Sequence, residues 1–414
     1  MDRPRAPEDI TPLAVQEGPA VEVAPHKEPE TPLEWVRENL FSSWFSGILT
    51  LISTAFLLYF GYAFLHWIFV SAEWRVVKVN LRSWMLGRFP PEGVGRVVTS
   101  MFLVVALSGL TWGGLGKRIR WTIGRRIMAA GFAVGGLLLL YYVLSGVGIW
   151  LLIGGLTGTF AAAVWLGKRL GFRLRGVITF GWVLIYPVVV AILVAFGGPS
   201  PARWGGFLLN VMVGSAGIVL SFPIGVVLAL GRRSSFPAIR TFCVGFIELL
   251  RGVPLITLLF AGLYFLPLLL PPSLDLHLII RITIMFTIFS GVYVAEIIRG
   301  GLQGVHQGQY EAARALGLPT WRMTALVILP QALRNTIPAL VSHFISVWKD
   351  TSLVGLVGSL DEGLSQARHS AAGLEFIGTL PEVLFGAGFI FWVVAISLGR
   401  WSQRVEKRVG VGER

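Results

Sequence analysis

Residues 300–330 read GGLQGVHQGQYEAARALGLPTWRMTALVILP and form a polar stretch between two long apolar segments. Within it, residues 309–316 are good helix formers, Gly317 suits the position after a helix C-terminus, and Pro319 prevents continuation. Thr320 is a candidate N-cap for a second helix, which re-enters apolar sequence and meets the proline that ends the stretch. The stretch therefore predicts a short helix, a tight turn and a second helix.

The first of these helices has a shallow polar surface. Glu311 and the alanines that follow it allow another protein to approach closely. Tyr310, Leu316 and Leu318 offer larger side chains as anchors. A lipid-binding helix would instead show a broad Leu/Phe face opposite a Lys-rich face. The pattern favours a helix that lies in the groove of a partner protein, and the alternative is a solvated turn.

The same stretch resembles the EAA loop of ABC-importer membrane subunits. The residues that carry the resemblance are Glu311-Ala312-Ala313, Gly317 and Leu329-Pro330, with Gly308-Gln309 and Gln331-Ala332 as in the polar-amino-acid version. Three further segments resemble signatures of that subfamily, at residues 247–255, 293–303 and 349–353. Residues 35–41 and 74–91 are similar to the long permease subunits of general L-amino-acid ABC transporters.

The resemblance implies an all-α integral membrane protein with a C-terminal type I ABC-importer permease core. It implies ATP-driven import of polar or general L-amino acids across the inner membrane, with ATP hydrolysis on a separate subunit and no cofactor in this chain. The implied partners are two copies of an ABC ATPase, a second and non-identical permease subunit, a periplasmic amino-acid-binding protein and the lipid bilayer. The residues implied to couple the chain to the ATPase are Gln309, Tyr310, Glu311, Ala312, Ala313, Leu316, Gly317 and Pro330.

The composition excludes a soluble protein, because 54% of the residues are hydrophobic, 14% are charged and the mean hydropathy is +0.72. The formal net charge of +13 does not indicate nucleic-acid binding, since the Lys and Arg residues stand in short clusters between apolar runs. Cys243 is the single cysteine, so no internal disulfide forms, and the six histidines lack the spacing of metal ligands. We expect a membrane protein without a metal site.

Ten apolar segments approach the length of about 20 residues that a membrane-spanning helix needs. They lie at about residues 47–70, 97–115, 127–146, 148–166, 177–196, 207–230, 241–271, 278–298, 336–357 and 382–400. The third and fourth are weakly separated, so eight to ten transmembrane helices are predicted. The predicted domains are a cytoplasmic tail with an interfacial segment (1–46), an N-terminal transmembrane extension (47–200), a permease core (204–405) that contains the coupling loop 300–330, and a cytoplasmic tail (406–414).

The basic loops predict the orientation. Residues 117–126, 168–175 and 232–240 carry Lys and Arg without any acid, so these three loops belong in the cytoplasm. Counting spans from them places both termini and the 300–330 loop in the cytoplasm. The loop at residues 71–96 is an exception, because its five basic residues then face outward.

Ionisable residues near or within the spans are candidates for the translocation pathway or its gate. Glu248 and Arg251 stand three residues apart on one helix face, and Glu296 and Arg299 repeat this spacing. Each pair is either a local ion pair near the headgroups or part of a polar inner gate. Lys349 and Asp350 either anchor the helix bundle or line the pathway, and the candidate substrate contacts are Asn210, Tyr293, Glu296 and Ser346.

Other function classes have weaker support. An ion-coupled secondary amino-acid transporter needs acidic residues at mid-bilayer and a repeated half, and Glu296 is its sole candidate. A membrane enzyme needs a catalytic grouping, and the sequence shows no Ser/His/Asp set or paired carboxylates on facing spans. The chain also lacks a P-loop motif, so ATP binding requires another subunit.

Overall fold

A computed structural model describes residues 31–115, 148–271, 273–274, 276–358 and 360–409. The chain divides into two compact units, Met1–Ala72 and Glu73–Arg414. The candidate span at residues 127–146 and the basic loop at 117–126 lie outside the described residues. The division at residue 72 differs from the predicted end of the extension near residue 200, and the predicted domain bounds stay a prediction.

The first unit consists of α1 (Pro32–Leu40), α2 (Trp44–His66) and a π-helical turn at Trp67–Ser71. A capping box opens α1: the Glu34 amide donates to Thr31 Oγ1 (3.3 Å), and the Thr31 amide donates to Glu34 Oε2 (3.0 Å). The Thr50 hydroxyl of α2 donates to the Leu40 carbonyl at 2.8 Å. This bond joins the polar helix α1 to the first apolar span.

The described residues of the second unit form the remaining helices. They are α3 (Arg75–Leu86), α4 (Val94–Leu115), α5 (Gly148–Leu170), α6 (Arg175–Val194), α7 (Gly206–Val219), α8 (Ser221–Gly231), α9 (Pro237–Arg251), α10 (Leu255–Tyr264), α11 (Leu266–Leu269), α12 (Leu278–Gln303), α13 (Gln307–Ala315), α14 (Thr320–Met323), α15 (Leu329–Asp350), α16 (Gly363–Ala371) and α17 (Leu380–Val409). The β pairing of the described residues is one isolated bridge, between Gly206 and Glu362.

Within the described residues, six helical stretches are long and apolar enough to cross a membrane, and two bent pairs raise that number to eight. The six stretches are Trp44–Ser71, Pro91–Gly114, Gly206–Gly231, Leu278–Gln303, Thr320–Leu356 and Leu380–Arg400, and the bent pairs are Gly176–Trp182 with Leu184–Val194 and Pro237–Arg251 with Leu255–Tyr264. The fold is thus an all-α membrane fold, as predicted, whereas the count of about ten spans stays a prediction.

The expectation of one continuous span at residues 241–271 is wrong. α9 and α10 meet at an angle of 103°. Pro254 carries no amide hydrogen and disfavours the helical conformation of the residue before it, and its own ψ of 142° is extended. The helix therefore ends before Pro254, which then serves as the N-cap of α10.

α12 is the central helix of the second unit and packs against α7, α8, α10 and α15. Its first half contributes Ile282 and Phe286 to one apolar cluster. Its second half contributes Val294 and Ile298 to another cluster, which also contains residues of α13 and α15. The short helix α13 is therefore part of the packed structure at the C-terminal end of α12.

α3 packs against α7, α16 and α17, although the last two lie far along the chain, beginning at Gly363 and Leu380. Trp84 is fully buried, and its indole Nε1 donates to the Ser370 hydroxyl at 2.8 Å. The Ser83 hydroxyl donates to the Gln366 side chain at 2.9 Å. By packing, α3 belongs with the C-terminal helices.

A π-helical turn at Thr324–Ile328 connects α14 to α15, so helical structure continues from Thr320 to Leu356. Pro330, in the first turn of α15, has no amide hydrogen for a helical bond to the residue four positions before it. The π-helical turn lies directly before Pro330. At that point the helix already lacks the hydrogen bond that the amide of residue 330 would donate, so a wider turn interrupts no additional bond there.

Candidate coupling loop and charged cluster

The predicted helix, turn and second helix of residues 300–330 are confirmed, with one correction. α13 covers Gln307–Ala315, and His306 caps it because its Nδ1 accepts from the Gly308 amide at 3.1 Å. The predicted N-cap of the second helix is wrong: α14 begins at Thr320 itself, and Pro319 occupies the N-cap position without a side-chain hydrogen bond. Proline suits this position because it has no amide hydrogen that would need a partner.

Gly317 ends α13 as predicted. Its φ of +70° is left-handed, a conformation that costs other residues about 1–2 kcal/mol. The Leu318 amide donates to the Ala313 carbonyl (3.2 Å), and the Gly317 amide donates to the Arg314 carbonyl (2.9 Å). These two bonds form a Schellman motif, which fixes the angle at which the chain leaves the helix.

The sequence predicts that Tyr310 anchors a partner protein, but in the structure its side chain packs against other residues of this chain. Its hydroxyl donates to the Leu302 carbonyl at 3.1 Å and accepts from Arg233 Nη1 at 3.1 Å. The Arg233 guanidinium also lies over the Tyr310 ring, 5.7 Å from its centroid. Tyr310 therefore fixes α13 to the end of α12 and to the loop after α8.

The outer face of α13 is open. Ala313 is only 3% exposed and packs in the second apolar cluster, so it belongs to the inner face. Glu311 and Ala312 are exposed, and Leu316 is 79% exposed. A flat surface with one protruding leucine thus faces away from the packed helices.

Gln309 and Pro330 lie where the loop meets α15. Gln331 Nε2 donates to the Gln309 side-chain oxygen at 3.0 Å and to the Val327 carbonyl at 2.9 Å. Pro330 is exposed beside it. The amide pair joins α13 to the start of α15, so the N-terminal half of the short helix is held by both Gln309 and Tyr310.

The candidate gate residues form a cluster around Glu296. Its Oε1 accepts from Arg299 Nε at 2.8 Å, and its Oε2 lies 3.4 Å from Arg232 Nη1 and 3.6 Å from Arg251 Nη1. Arg232 Nη1 also donates to Glu248 Oε1 at 3.0 Å. Three arginines and two glutamates therefore connect the ends of α8, α9 and α12.

The sequence leaves each of the two spaced pairs as either a local ion pair or part of an inner gate, and the structure shows a local pair for one of them. Glu296 and Arg299 pair within α12. The local pairing of Glu248 with Arg251 is wrong, because Glu248 pairs with Arg232 and Arg251 with Glu296. The spacing of residues along α9 or α12 gives no information on a neighbouring helix, and the sequence around Arg232 indicates only a basic loop.

Tyr293 borders this cluster. The Arg251 guanidinium lies 5.9 Å from the centroid of its ring, and the ring stacks on His343 at 5.7 Å. His343 Nε2 and the Ser290 hydroxyl are 3.0 Å apart. Sequence reasoning did not select His343 or Ser290, because neither stands in a recognisable motif.

A second polar network contains Asn210, Thr351 and Glu362, each at most 1% exposed. Asn210 Nδ2 donates to Thr351 Oγ1 and Glu362 Oε2, both at 3.0 Å, and its Oδ1 accepts from the Gly363 amide at 2.8 Å. The Glu362 carboxylate also accepts from the amides of Leu364 and Ser365, both at 2.8 Å. Asn210, a predicted substrate contact, has no amide hydrogen left for a substrate.

Lys349 and Asp350 lie beside this buried network, at the C-terminal end of α15. Lys349 is exposed and Asp350 is half-buried. Residues near the start of α15 pack with the end of α12 instead. The structure therefore separates these two candidates from the Glu296 cluster. Among the described residues, no group of three or more His, Cys, Asp or Glu side chains is placed to hold a metal ion.

Comparison with known proteins adds the family. Residues 221–411 match the family described as "Binding-protein-dependent transport system inner membrane component". The chain is 32% identical to the "Glutamate/glutamine/aspartate/asparagine transport system permease protein BztC" of Rhodobacter capsulatus, over 91% of this chain and 93% of that protein. It is 33% identical to the "Inner membrane amino-acid ABC transporter permease protein YhdY" of Escherichia coli K12, again over 91% and 93%. The "Glutamate/aspartate import permease protein GltK" of Escherichia coli O6:H1 is 32% identical over 48% of this chain and 88% of its own length.

The two long relatives match nearly the whole chain, and both are named as permease proteins. Such subunits are not enzymes, and a separate subunit hydrolyses ATP. The apolar helices and the inner-membrane relatives identify a multi-pass inner-membrane protein. The relatives that are named as ABC transporter permeases support an ATP-driven importer rather than an ion-coupled secondary transporter. The chain belongs to the permease subunits of amino-acid ABC importers.

Proposed function

We propose that this chain carries polar L-amino acids across the inner membrane and receives the energy of ATP through the outer face of α13. The observation that carries the proposal is the geometry of that helix. Its outer face, with Glu311, Ala312 and Leu316, is exposed, whereas Tyr310 and Ala313 fix its inner face to α12. A force applied to the outer face is therefore transmitted directly to the helix that carries Glu296.

The cluster around Glu296 is the proposed inner gate. It joins α8, α9 and α12 through ion pairs that remain 20–53% exposed on their side chains. Partly hydrated pairs exchange partners at a lower cost than buried ones. A movement of α13 together with the end of α12 would separate Glu296 from Arg232 and Arg251 and open the passage between the helices.

The proposed topology places the 300–330 loop and both termini in the cytoplasm. The basic loops at residues 168–175 and 232–240 support this orientation through the positive-inside bias. We propose the domain bounds given by the sequence, with a permease core at 204–405. Support comes from the family match at residues 221–411 and from a short relative that aligns with 48% of this chain.

The proposed assembly contains two ATPase copies, a second and non-identical permease subunit and a periplasmic amino-acid-binding protein. Its support is the resemblance to long permease subunits and the family description, which names binding-protein-dependent transport. The substrate class rests on the long relative named for glutamate, glutamine, aspartate and asparagine. The cluster of three arginines and two glutamates offers partners for both the carboxylate and the ammonium of such substrates.

Cysteine crosslinking tests the docking of α13. A cysteine at exposed position 312 is expected to crosslink to the copurified ATPase, and a cysteine at buried position 313 is the matched control that should not. Gly317→Asn keeps a residue that tolerates positive φ, whereas Gly317→Val does not, so ATP-driven uptake should fall much more for the valine variant. A topology reporter near residue 312 that is active on the periplasmic side would contradict the proposal.

A further inference from the structure

A cavity of about 910 Å³ lies behind α13, between this helix, the loop after α8 and the start of the Thr320–Leu356 stretch. Small-molecule sites in proteins occupy roughly 300–1,000 Å³, so the cavity is large enough for a ligand. The end of α12, at Leu302 and Gln303, forms part of its wall. Because a span ends there, the cavity lies at the level of the lipid headgroups.

The lining combines two cations with a largely apolar wall. Arg233 and Arg314 line the cavity together with Ser234, Ser235 and Tyr310, and the lining contains no carboxylate. Arg233 uses one guanidinium nitrogen on Tyr310, and Arg314 forms no ion pair with any residue that the structure describes. The donors that remain on these side chains are available to an anion.

The apolar part of the lining is exposed. Phe236 is 68% exposed, Ile239 is 48% exposed and Trp321 is 64% exposed. Residues such as Leu230, Ile328 and Leu329 continue the apolar surface inside the cavity. A ligand that fits therefore has a negative head beside Arg233 and Arg314 and a hydrocarbon part beside these side chains.

The cavity face of α13 differs from its outer face. Gln307, Tyr310 and Arg314 stand at positions i, i+3 and i+7, which place them on one side of the helix. Ala312 and Leu316 lie on the opposite side of the helix and are exposed, whereas Glu311, at position i+4, borders the cavity face without lining the cavity. A ligand in the cavity thus leaves the outer face free for a protein partner.

We propose that this cavity binds an anionic phospholipid, with the phosphate beside Arg233 and Arg314 and the acyl chains along Phe236, Ile239 and Trp321. The inference goes beyond the proposed function and does not depend on the direction of transport or on the ATPase. A bound lipid would fill the space between α13 and α12, so the lipid composition of the membrane would affect how firmly α13 is held.

The test measures lipid retention on the full-length chain, purified with its copurifying subunits, by native mass spectrometry without ATP or amino acid. Phosphatidylglycerol and phosphatidylcholine with identical acyl chains are added separately at equal concentration. The wild type should retain several-fold more phosphatidylglycerol. Arg314→Gln should lower this retention about fivefold, the equivalent of one basic residue near a lipid surface.

Arg322→Gln is the matched control, because Arg322 belongs to the same loop but lies on the Trp321 ring, 5.0 Å from its centroid, outside the cavity lining. Ala325→Phe fills the apolar part without changing charge and should also lower retention. Equal retention of the two lipids, or an equal loss in both arginine variants, would overturn the proposal. Glycerol 3-phosphate is added in a further arm: if it displaces the lipid at equal concentration, the ligand is a soluble phosphate and the lipid assignment is wrong.

Discussion

Two polar networks hold the Gly206–Gly231 stretch near its two ends, and they are built differently. Asn210 lies in a sealed network with Thr351 and Glu362, whereas Arg232, roughly 33 Å further along the helix, belongs to the exposed cluster around Glu296. In the sealed network each donated hydrogen has one geometrically fixed acceptor. In the cluster, two carboxylates share three guanidinium groups. The first arrangement resists movement, and the second permits exchange of partners, so we expect motion at the Glu296 end.

The largest expected effect on stability is that of Glu362→Ala. The substitution leaves the amides of Leu364 and Ser365 and one amide hydrogen of Asn210 buried without an acceptor, and we expect a loss of about 3 kcal/mol in the free energy of unfolding. The thermal unfolding midpoint of the purified chain measures it. Glu375→Ala is the control, because its ion pair with Arg75 is more than half exposed and should contribute about 0–1 kcal/mol. Equal shifts in the two variants would refute the contrast.

Glu296→Gln tests the other network. It leaves Arg232, Arg251 and Arg299 without the carboxylate they share, and we expect ATP-driven amino-acid uptake in vesicles to fall about tenfold, or about 1.4 kcal/mol of coupling. The unfolding midpoint should change less than for Glu362→Ala, since the cluster is partly hydrated. Wild-type uptake in this variant would exclude Glu296 from the gate.

Thr351→Val probes a single member of the sealed network. The side chain keeps its shape but loses the bond it accepts from Asn210 (3.0 Å) and the bond it donates to the Trp348 carbonyl (2.7 Å). A destabilisation of about 1 kcal/mol is expected in thermal unfolding. Ser352→Ala removes a comparable but exposed bond and should leave the midpoint nearly unchanged. If the serine variant were the less stable of the two, burial would not be the deciding factor.

Glu248→Gln should have the smallest effect, with uptake reduced less than twofold. Its side chain is 53% exposed, and solvent and salt screen its pair with Arg232. Uptake by the wild type at increasing salt concentration gives an independent measure of the same contact. A loss as large as that of Glu296→Gln would show that the two carboxylates act as one unit.

The sequence predicts local structure well where local chemistry decides it. Gly317 and Pro319 end α13 where expected, because a left-handed turn and a missing amide hydrogen depend on few neighbours. The break at Pro254 is harder to predict: Gly252-Val253-Pro254 is a local signal for it, but the apolar run through this segment is long enough for one span and favours a continuous helix.

Contacts between distant segments could not be predicted in this way. Three such features depend on which helices pack against each other. They are the side of α13 on which Ala313 lies, the ion-pair partner of Glu248 and the burial of Asn210. Glu362 gave a local signal, an acid at the N-cap of α16, but nothing in its surroundings along the chain indicates that Asn210 lies against it. The roles of the coupling and gate residues stay predictions.

The π-helical turn at Thr324–Ile328 holds one residue more than an α-helical turn of the same rise. If that surplus residue were removed, every side chain before it would rotate by roughly 100° about the helix axis, while Pro330 and the residues after it would keep their orientation. The direction in which Trp321 and Arg322 point around the helix axis therefore depends on the one additional residue in the π-helical turn. A one-residue deletion within this turn would therefore reorient the entrance to the span relative to the helix that follows.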